Sequence, residues 1–156
     1  GKFRPGHFEA VADVIDRFIK IIKPKKIFFG EKDMQQLKII EDFVKKNHIK
    51  IKVIGCKTIR EKNGVAYSSR NFLLSSKEKK IASRIYKLLF NKKKYMITSN
   101  RSFNHVKKKI LQIGASRIDY IKILDINKVI KPHKKNKKYR IFIAYYISST
   151  RLIDNI

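Results

Sequence analysis

Ile27-Phe28-Phe29-Gly30-Glu31-Lys32-Asp33-Met34-Gln35-Gln36 is the stretch on which the fold turns. Ile27 to Phe29 is a short apolar run of the kind that forms a buried strand, and Leu37, Ile40, Phe43 and Val44 recur after it at helical spacing. Gly30 to Gln36 therefore lies at a strand's carboxyl end, ahead of a helix that begins near Asp33. Ligands of α/β proteins bind at such edges. A Gly permits close backbone approach, Lys32 offers a point charge for a phosphate, Asp33 can hold a sugar hydroxyl or cap the helix, and Gln36 carries both a donor and an acceptor. The same residues also fit a capped surface helix with solvated charges.

Upstream, Val11, Val14, Ile15, Phe18, Ile19 and Ile22 form a helical stripe after Gly6, expected to be core, and Pro24 stops it. Downstream, Ile49 to Ile54 reads as a second strand. The order helix, strand, helix, strand is half of a doubly wound unit. A right-handed crossover through the Asp33 helix makes the two strands parallel, with Gly30 and the segment Gly55 to Arg60 on one edge of the sheet.

Arg60-Glu61-Lys62-Asn63-Gly64 is a polar turn, and it leads into Val65-Ala66-Tyr67-Ser68-Ser69-Arg70-Asn71. Two hydroxyls and a guanidinium on one loop suit phosphate oxygens, because Ser donates single hydrogen bonds and Arg a bidentate pair. A Ser-rich connector with a solvated Arg is the bland alternative. After Asn71 the pattern changes. Ser75-Ser76-Lys77-Glu78 resembles a capping box that opens a helix with Ile81, Ile85, Leu88 and Leu89 on its buried face. A Lys- and Asn-rich connector follows. Val106, Ile110, Leu111 and Ile113 predict a further helix ending at Gly114, and Arg117 to Leu124 and Tyr139 to Ile147 predict strands around a polar turn at Pro132. The layout is a partial doubly wound parallel α/β sheet over 1–70, followed by a small α+β domain over 71–156.

The 156 residues are 43% hydrophobic, enough for a core, and carry 39 Lys and Arg against 12 Asp and Glu, a formal charge of +27. Such a charge suits a basic nucleic-acid-binding module. The basic runs Lys92 to Lys94, Lys107 to Lys109 and Lys134-Lys135 with Lys137-Lys138 lack interleaved stacking aromatics, however, and the excess is mostly Lys in a chain also rich in Ile and Asn. An AT-rich coding sequence accounts for that pattern, so no nucleic-acid partner is expected. Cys56 is the sole cysteine, which excludes an intrachain disulfide and fits a reducing cytoplasm. No membrane-length apolar run occurs, and no membrane partner is expected. His48, His105 and His133 are far apart in sequence, and no metal site is expected of them.

Arg4-Pro5-Gly6-His7-Phe8, Gly30-Glu31-Lys32-Asp33 with Gln35-Gln36, Ser68-Ser69-Arg70-Asn71, Ala144, and Arg151-Leu152-Ile153-Asp154-Asn155 occur in the order and approximate spacing of the pantothenate synthetase (pantoate–β-alanine ligase) family. The resemblance runs the length of the chain and rests on several motifs agreeing in order. That family's chain is nearly twice as long, and its amino-terminal half carries a His-x-Gly-His motif that has no counterpart here. This sequence resembles the carboxyl-terminal half.

The resemblance implies a Rossmann-like, nucleotidyltransferase-type sheet and an ATP- and Mg2+-dependent ligase that forms a pantoyl adenylate and then joins it to β-alanine. It implies ATP-binding positions at Gly30, Glu31, Lys32, Asp33, Ile59, Tyr67, Ser68, Ser69 and Arg70. Lys32, Ser68, Ser69 and Arg70 match the phosphate-contacting, catalytic positions, and Gln36 matches the pantoate-binding Gln. It further implies a homodimer in the full-length enzyme, a cytoplasmic setting, a product that is a coenzyme A precursor, and a fragment inactive by itself. The alternative is a non-catalytic remnant or scaffold that keeps the fold. Two departures from the family pattern stand out: Tyr67 replaces a common Leu or Met where only the backbone is engaged, and Gly55-Cys56-Lys57-Thr58 replaces a more apolar stretch beside the adenine. His7 opens a helix, where packing and substrate contact are both open to it.

Overall fold

The structure, a computed structural model, describes residues 6–98, 102–126 and 139–156. Arg4, Pro5, the Pro132 turn and the basic pairs near Lys134 and Lys137 lie outside the described residues. By its contacts the chain divides into two compact units, Gly1–Lys57 and Thr58–Ile156.

In the first unit, helix α1 (His7–Ile22) ends at Lys23, whose left-handed φ of 49° precedes Pro24. Strand β1 (Lys26–Gly30), a 3-10 turn (Glu31–Asp33), helix α2 (Met34–Lys46) and strand β2 (Lys52–Cys56) follow. The strands are parallel, as the helical crossover requires, with Ile27 opposite Val53 and Gly30 opposite Cys56. Ile27, Phe29 and Val53 pack with Val11, Ile15 and Ile19 of α1 and Ile40 and Val44 of α2.

Only half of the α1 stripe is core. Val11, Ile15 and Ile19 join this cluster, whereas Val14, Phe18 and Ile22 are exposed, because a stripe that wide exceeds what one neighbouring helix and a two-stranded sheet cover. Strand β2 also starts later than its apolar pattern predicts. His48 takes a left-handed φ of 52°, and Ile49 and Ile51 complete a turn through the bond from Ile51 N–H to the Ile49 carbonyl, so they pack without pairing.

The second unit holds helix α3 (Ser76–Thr98), helix α4 (Ser102–Ile113) and an antiparallel sheet of β3 (Arg117–Asp125), β4 (Tyr139–Ile147) and β5 (Thr150–Asn155), in the order β3-β4-β5. Its core joins Ile85, Leu89 and Met96 of α3, Val106 and Ile110 of α4, and Ile141, Ile143 and Ile147 of β4. Each such side chain contributes about 1.5–3 kcal/mol when fully buried. The predicted Lys- and Asn-rich connector is helix: α3 runs through Lys92 to Lys94, since Lys is a good helix former and Met96 still reaches the core. Strand β5 lacks the usual hairpin signal, because Ser148, at φ 51°, takes the left-handed turn position that a Gly or Asn would announce.

The segment before Asn71 folds with this unit: Val65 lies in its core, and Arg60 bonds Asp154 of β5. Gly64 turns the segment at φ 92°, and a Cβ there would sit 2.2 Å from the Tyr86 ring. Gly64→Ala should therefore cost about 1–3 kcal/mol, read as a lower urea midpoint. An unchanged midpoint would mean that Tyr86 yields freely.

The capping box forms as expected: Glu78 N–H donates to Ser75 Oγ (3.3 Å), and Ser75 N–H donates to Glu78 Oε2 (2.8 Å). Hydrogen bonds from the Ser148 hydroxyl, then from the Ser75 N–H and hydroxyl, hold the Glu78 carboxyl below its ordinary value of 4.5. A depressed folded value makes its stabilisation complete above the unfolded pKa and lost as pH falls through the folded one. Glu78→Gln should flatten the acid limb of the stability profile below about pH 4.5; an unaltered limb would contradict this.

Candidate functional site

In the first unit the candidate residues gather where β1 ends. Gly30 is extended at φ −68°, exposed, and a Cβ built on it meets nothing within 4 Å, so its approach side is open. Parallel pairing sets it beside Cys56. Glu31, Lys32 and Asp33 form the 3-10 turn, Lys32 half-buried and Asp33 exposed. Asp33 occupies the N-cap position of α2, yet its side chain accepts no capping bond. Gln36 is half-buried in the first turn of α2, at the end of the helix where the dipole is positive. Gly55 serves close packing instead: a Cβ there would lie 2.9 Å from Cδ2 of buried Leu37, which would have to shift, and 3.5 Å from Glu31 Cγ, an ordinary contact.

In the second unit Ile59 to Asn71 forms a small hairpin. Arg60 and Ala66 make an antiparallel bridge, Tyr67 N–H donates to the Ile59 carbonyl at 3.0 Å, and Asn63-Gly64 is the tip. This brings together Ile59 and Tyr67, residues 73% and 62% exposed, an apolar and an aromatic one on facing arms of the hairpin. A 3-10 turn (Ser69–Leu73) follows, capped by Ser68, whose Oγ accepts from Arg70 N–H at 3.3 Å. The Ser68 hydroxyl keeps its own proton to donate. Ser69 and Arg70 are exposed on the same turn.

Sequence reading did not identify what holds this hairpin. The Arg60 guanidinium donates from Nη1 to Asp154 Oδ2 (2.7 Å) and the Gly64 carbonyl (3.0 Å), and from Nη2 to Asp154 Oδ1 and the Asn155 carbonyl (both 2.9 Å). It also lies 4.6 Å from the centre of the Tyr86 ring. Burial opposes its charge, but the hydrogen bonds and charge of Asp154 outweigh that, and its pKa is raised. Asn71, 5% exposed, donates from Nδ2 to Glu61 Oε1 (2.6 Å) and the Ala66 carbonyl (3.2 Å), while Asn63 Nδ2 donates to Glu61 Oε2 at 3.0 Å. Asn71 Oδ1 is buried without a partner, at a cost of about 1–3 kcal/mol. Arg60 and Asp154 are 94 residues apart, and no local pattern links them; the only available signal was the charged Arg151…Asp154-Asn155 run at the chain's end.

Among the described residues there is no group of three His, Cys, Asp or Glu that could hold a metal, and no helix is long and apolar enough to cross a membrane.

Comparison with known proteins fits these features. The family model for pantoate-beta-alanine ligase matches residues 1–156, and the chain belongs to that family. Pantothenate synthetase of Flavobacterium psychrophilum is 41% identical over 162 aligned positions, which cover 100% of this chain and 57% of the relative. That of Sulfurihydrogenibium sp. is likewise 41% identical, with 58% of its length covered. The crystal structure of pantothenate synthetase from Thermus thermophilus superposes on the whole chain with a TM-score of 0.87 at 31% identity, over 58% of its own length. Pantoate-beta-alanine ligase from Francisella tularensis, complexed with beta-gamma ATP and beta-alanine, gives 0.77 at 36% identity and 52% of its length. The chain thus spans less than two thirds of the relatives it matches.

The cap gives a test that separates shape from chemistry. Ser68→Ala should lower stability by about 0.5–2 kcal/mol in urea unfolding, whereas Ser69→Ala should leave it within about 0.5 kcal/mol, as surface changes do. Equal losses would show that Ser69 is also structural.

Proposed function

We propose that this chain supplies part of the active site of a pantothenate synthetase, which condenses pantoate with β-alanine at the expense of ATP. Membership of the family across all 156 residues carries the reading, and the ATP and β-alanine complex of the Francisella tularensis relative supports its substrates. A pantoate carboxylate oxygen attacks the α-phosphorus of ATP, the bond to the β-phosphate oxygen breaks, and pyrophosphate leaves. The amine of β-alanine then attacks the acyl carbon of the adenylate, forming the amide as the C–O bond to AMP breaks and the nitrogen loses a proton.

Negative charge accumulates around the α-phosphorus in the first step, and fixed donors that meet it there lower the barrier. Lys32 gives a point charge, Arg70 a planar fork, and Ser68 and Ser69 hydroxyl protons. Gly30, Glu31, Asp33, Ile59 and the backbone of Tyr67 hold the nucleoside, and Gln36 holds pantoate through its hydroxyl and carboxylate. No covalent enzyme intermediate is needed, because the acid is activated as a mixed anhydride and orientation does much of the remaining work. Magnesium, if bound with the nucleotide, would neutralise part of the phosphate charge, with Lys32 and Arg70 supplying the remaining positive charge from this chain. Residues 1–70 carry the nucleotide-binding positions, with those from Thr58 onward packed in the second unit, and the intact enzyme works as a cytoplasmic homodimer making a coenzyme A precursor, with no nucleic-acid or membrane partner.

The decisive assay measures pyrophosphate release from ATP and pantoate. The chain alone should give none, and the chain joined to, or mixed with, the portion of the Flavobacterium psychrophilum relative that it does not span should give release dependent on both substrates. Release by the chain alone would make the additional portion dispensable; none in the complemented form would favour a non-catalytic scaffold. In that complemented form Gln36→Ala should raise the pantoate KM by about tenfold or more, the worth of a hydrogen bond to a charged group, with the ATP KM little changed. Equal effects on both would move Gln36 away from pantoate.

A further inference from the structure

We infer that Asp154, acting through Arg60, is a positioning residue that sets the place of the Ser68–Arg70 turn; the inference rests on reading that turn as phosphate-binding. Both carboxylate oxygens of Asp154 receive Arg60, and Oδ1 also receives the Asn155 N–H at 2.7 Å, so the acceptor is fixed to the β5 backbone. Each terminal nitrogen of Arg60 makes two hydrogen bonds, and one reaches the carbonyl of Gly64 at the hairpin tip. Arg60 is itself the bridge residue of that hairpin, paired with Ala66. The Ala66 carbonyl receives Asn71 Nδ2, and Asn71 N–H donates to the Ser68 carbonyl at 3.0 Å. Hence the four residues Tyr67 to Arg70 are tied at both ends to the hairpin, Asn71 also through Glu61, and Arg60 anchors that hairpin to the Asp154 carboxylate on β5.

The chemistry gives this arrangement a purpose beyond packing. Arg70 and Ser69 are exposed and carry no burial of their own to fix them, so their backbone must be placed by its neighbours. Asn71 remains a buried amide with one oxygen unpaired, a poor choice for stability alone and a good one for holding two backbone segments and Glu61 together. The ion pair is shielded, with side chains 21% and 10% exposed, so it is not the screened surface kind that contributes little.

Amide hydrogen exchange in the 156-residue chain is the first test. Asp154→Asn should speed exchange at Glu61, Tyr67, Arg70 and Asn71 by about tenfold or more, the worth of a charge-assisted bond, while Ala115 and Ser116, bonded to Ile110 and Tyr146, stay protected. Arg60→Lys, which keeps the charge and loses the fork, should do the same and serves should Asp154→Asn not fold. The second test is a cycle of Asp154→Asn with Arg70→Ala on pyrophosphate release by the complemented enzyme. Because Asp154 acts through the turn, its effect on the rate should vanish once Arg70 is Ala. Unchanged exchange in the hairpin, equal loosening at Ala115 and Ser116, or additive effects on the rate would each overturn the inference. If Arg70→Ala alone leaves the rate unchanged, the phosphate reading of the turn fails, and the exchange result still decides whether Asp154 places it.

Discussion

A guanidinium taken out of water needs an acceptor for nearly every N–H it carries, and the Arg60 fork meets that demand from one strand and a turn at once. Two of its acceptors belong to Asp154, one to Asn155 and one to Gly64. The requirement works in both directions. Tyr145, buried beside Asp154, has its hydroxyl pKa pushed up first by burial and then by that carboxylate's charge, so it stays a neutral core residue. The terminal strand is therefore more than the edge of a sheet, since it supplies the counter-charge without which the hairpin could not bury its arginine.

The first unit depends on a different constraint. Parallel strands joined by one helix must end at the same edge, and that edge must face the amino end of the joining helix. Gly30, Cys56, Lys32 and Gln36 owe their grouping to this rule more than to any specific contact.

Features with a short sequence range were legible. The parallel pair, the Pro24 stop, the capping box at Ser75 and Glu78, and α4 ending at Gly114 all follow from spacings of a few residues. The misreadings have physical causes. Lys92 to Lys94 look like a connector by charge, yet long basic side chains cost a helix little. The β4–β5 hairpin turns on a serine held at positive φ, tied down by its hydroxyl's bond to Glu78 Oε1, and no turn residue announces it. The candidate residues themselves were found as motifs, while their support was not: Arg60 with Asp154 and Asn71 with Glu61 are matched by folding, and spacing carries no trace of the match.

The exposed apolar side chains of the first unit have a practical consequence for handling the protein. Phe28 is 64% exposed on the sheet face turned away from the α1 and α2 cluster, and Ile21 is 78% exposed on α1. Such apolar surface favours self-association, which a charge of +27 opposes by mutual repulsion. Repulsion acts over a Debye length, about 30 Å at 0.01 M ionic strength and about 3 Å at 1 M, whereas the attraction between apolar patches survives salt or is strengthened by it. Colloidal stability of this chain thus belongs to dilute buffers, and concentrated salt, the customary remedy for a sticky basic protein, removes the one force that keeps its molecules apart.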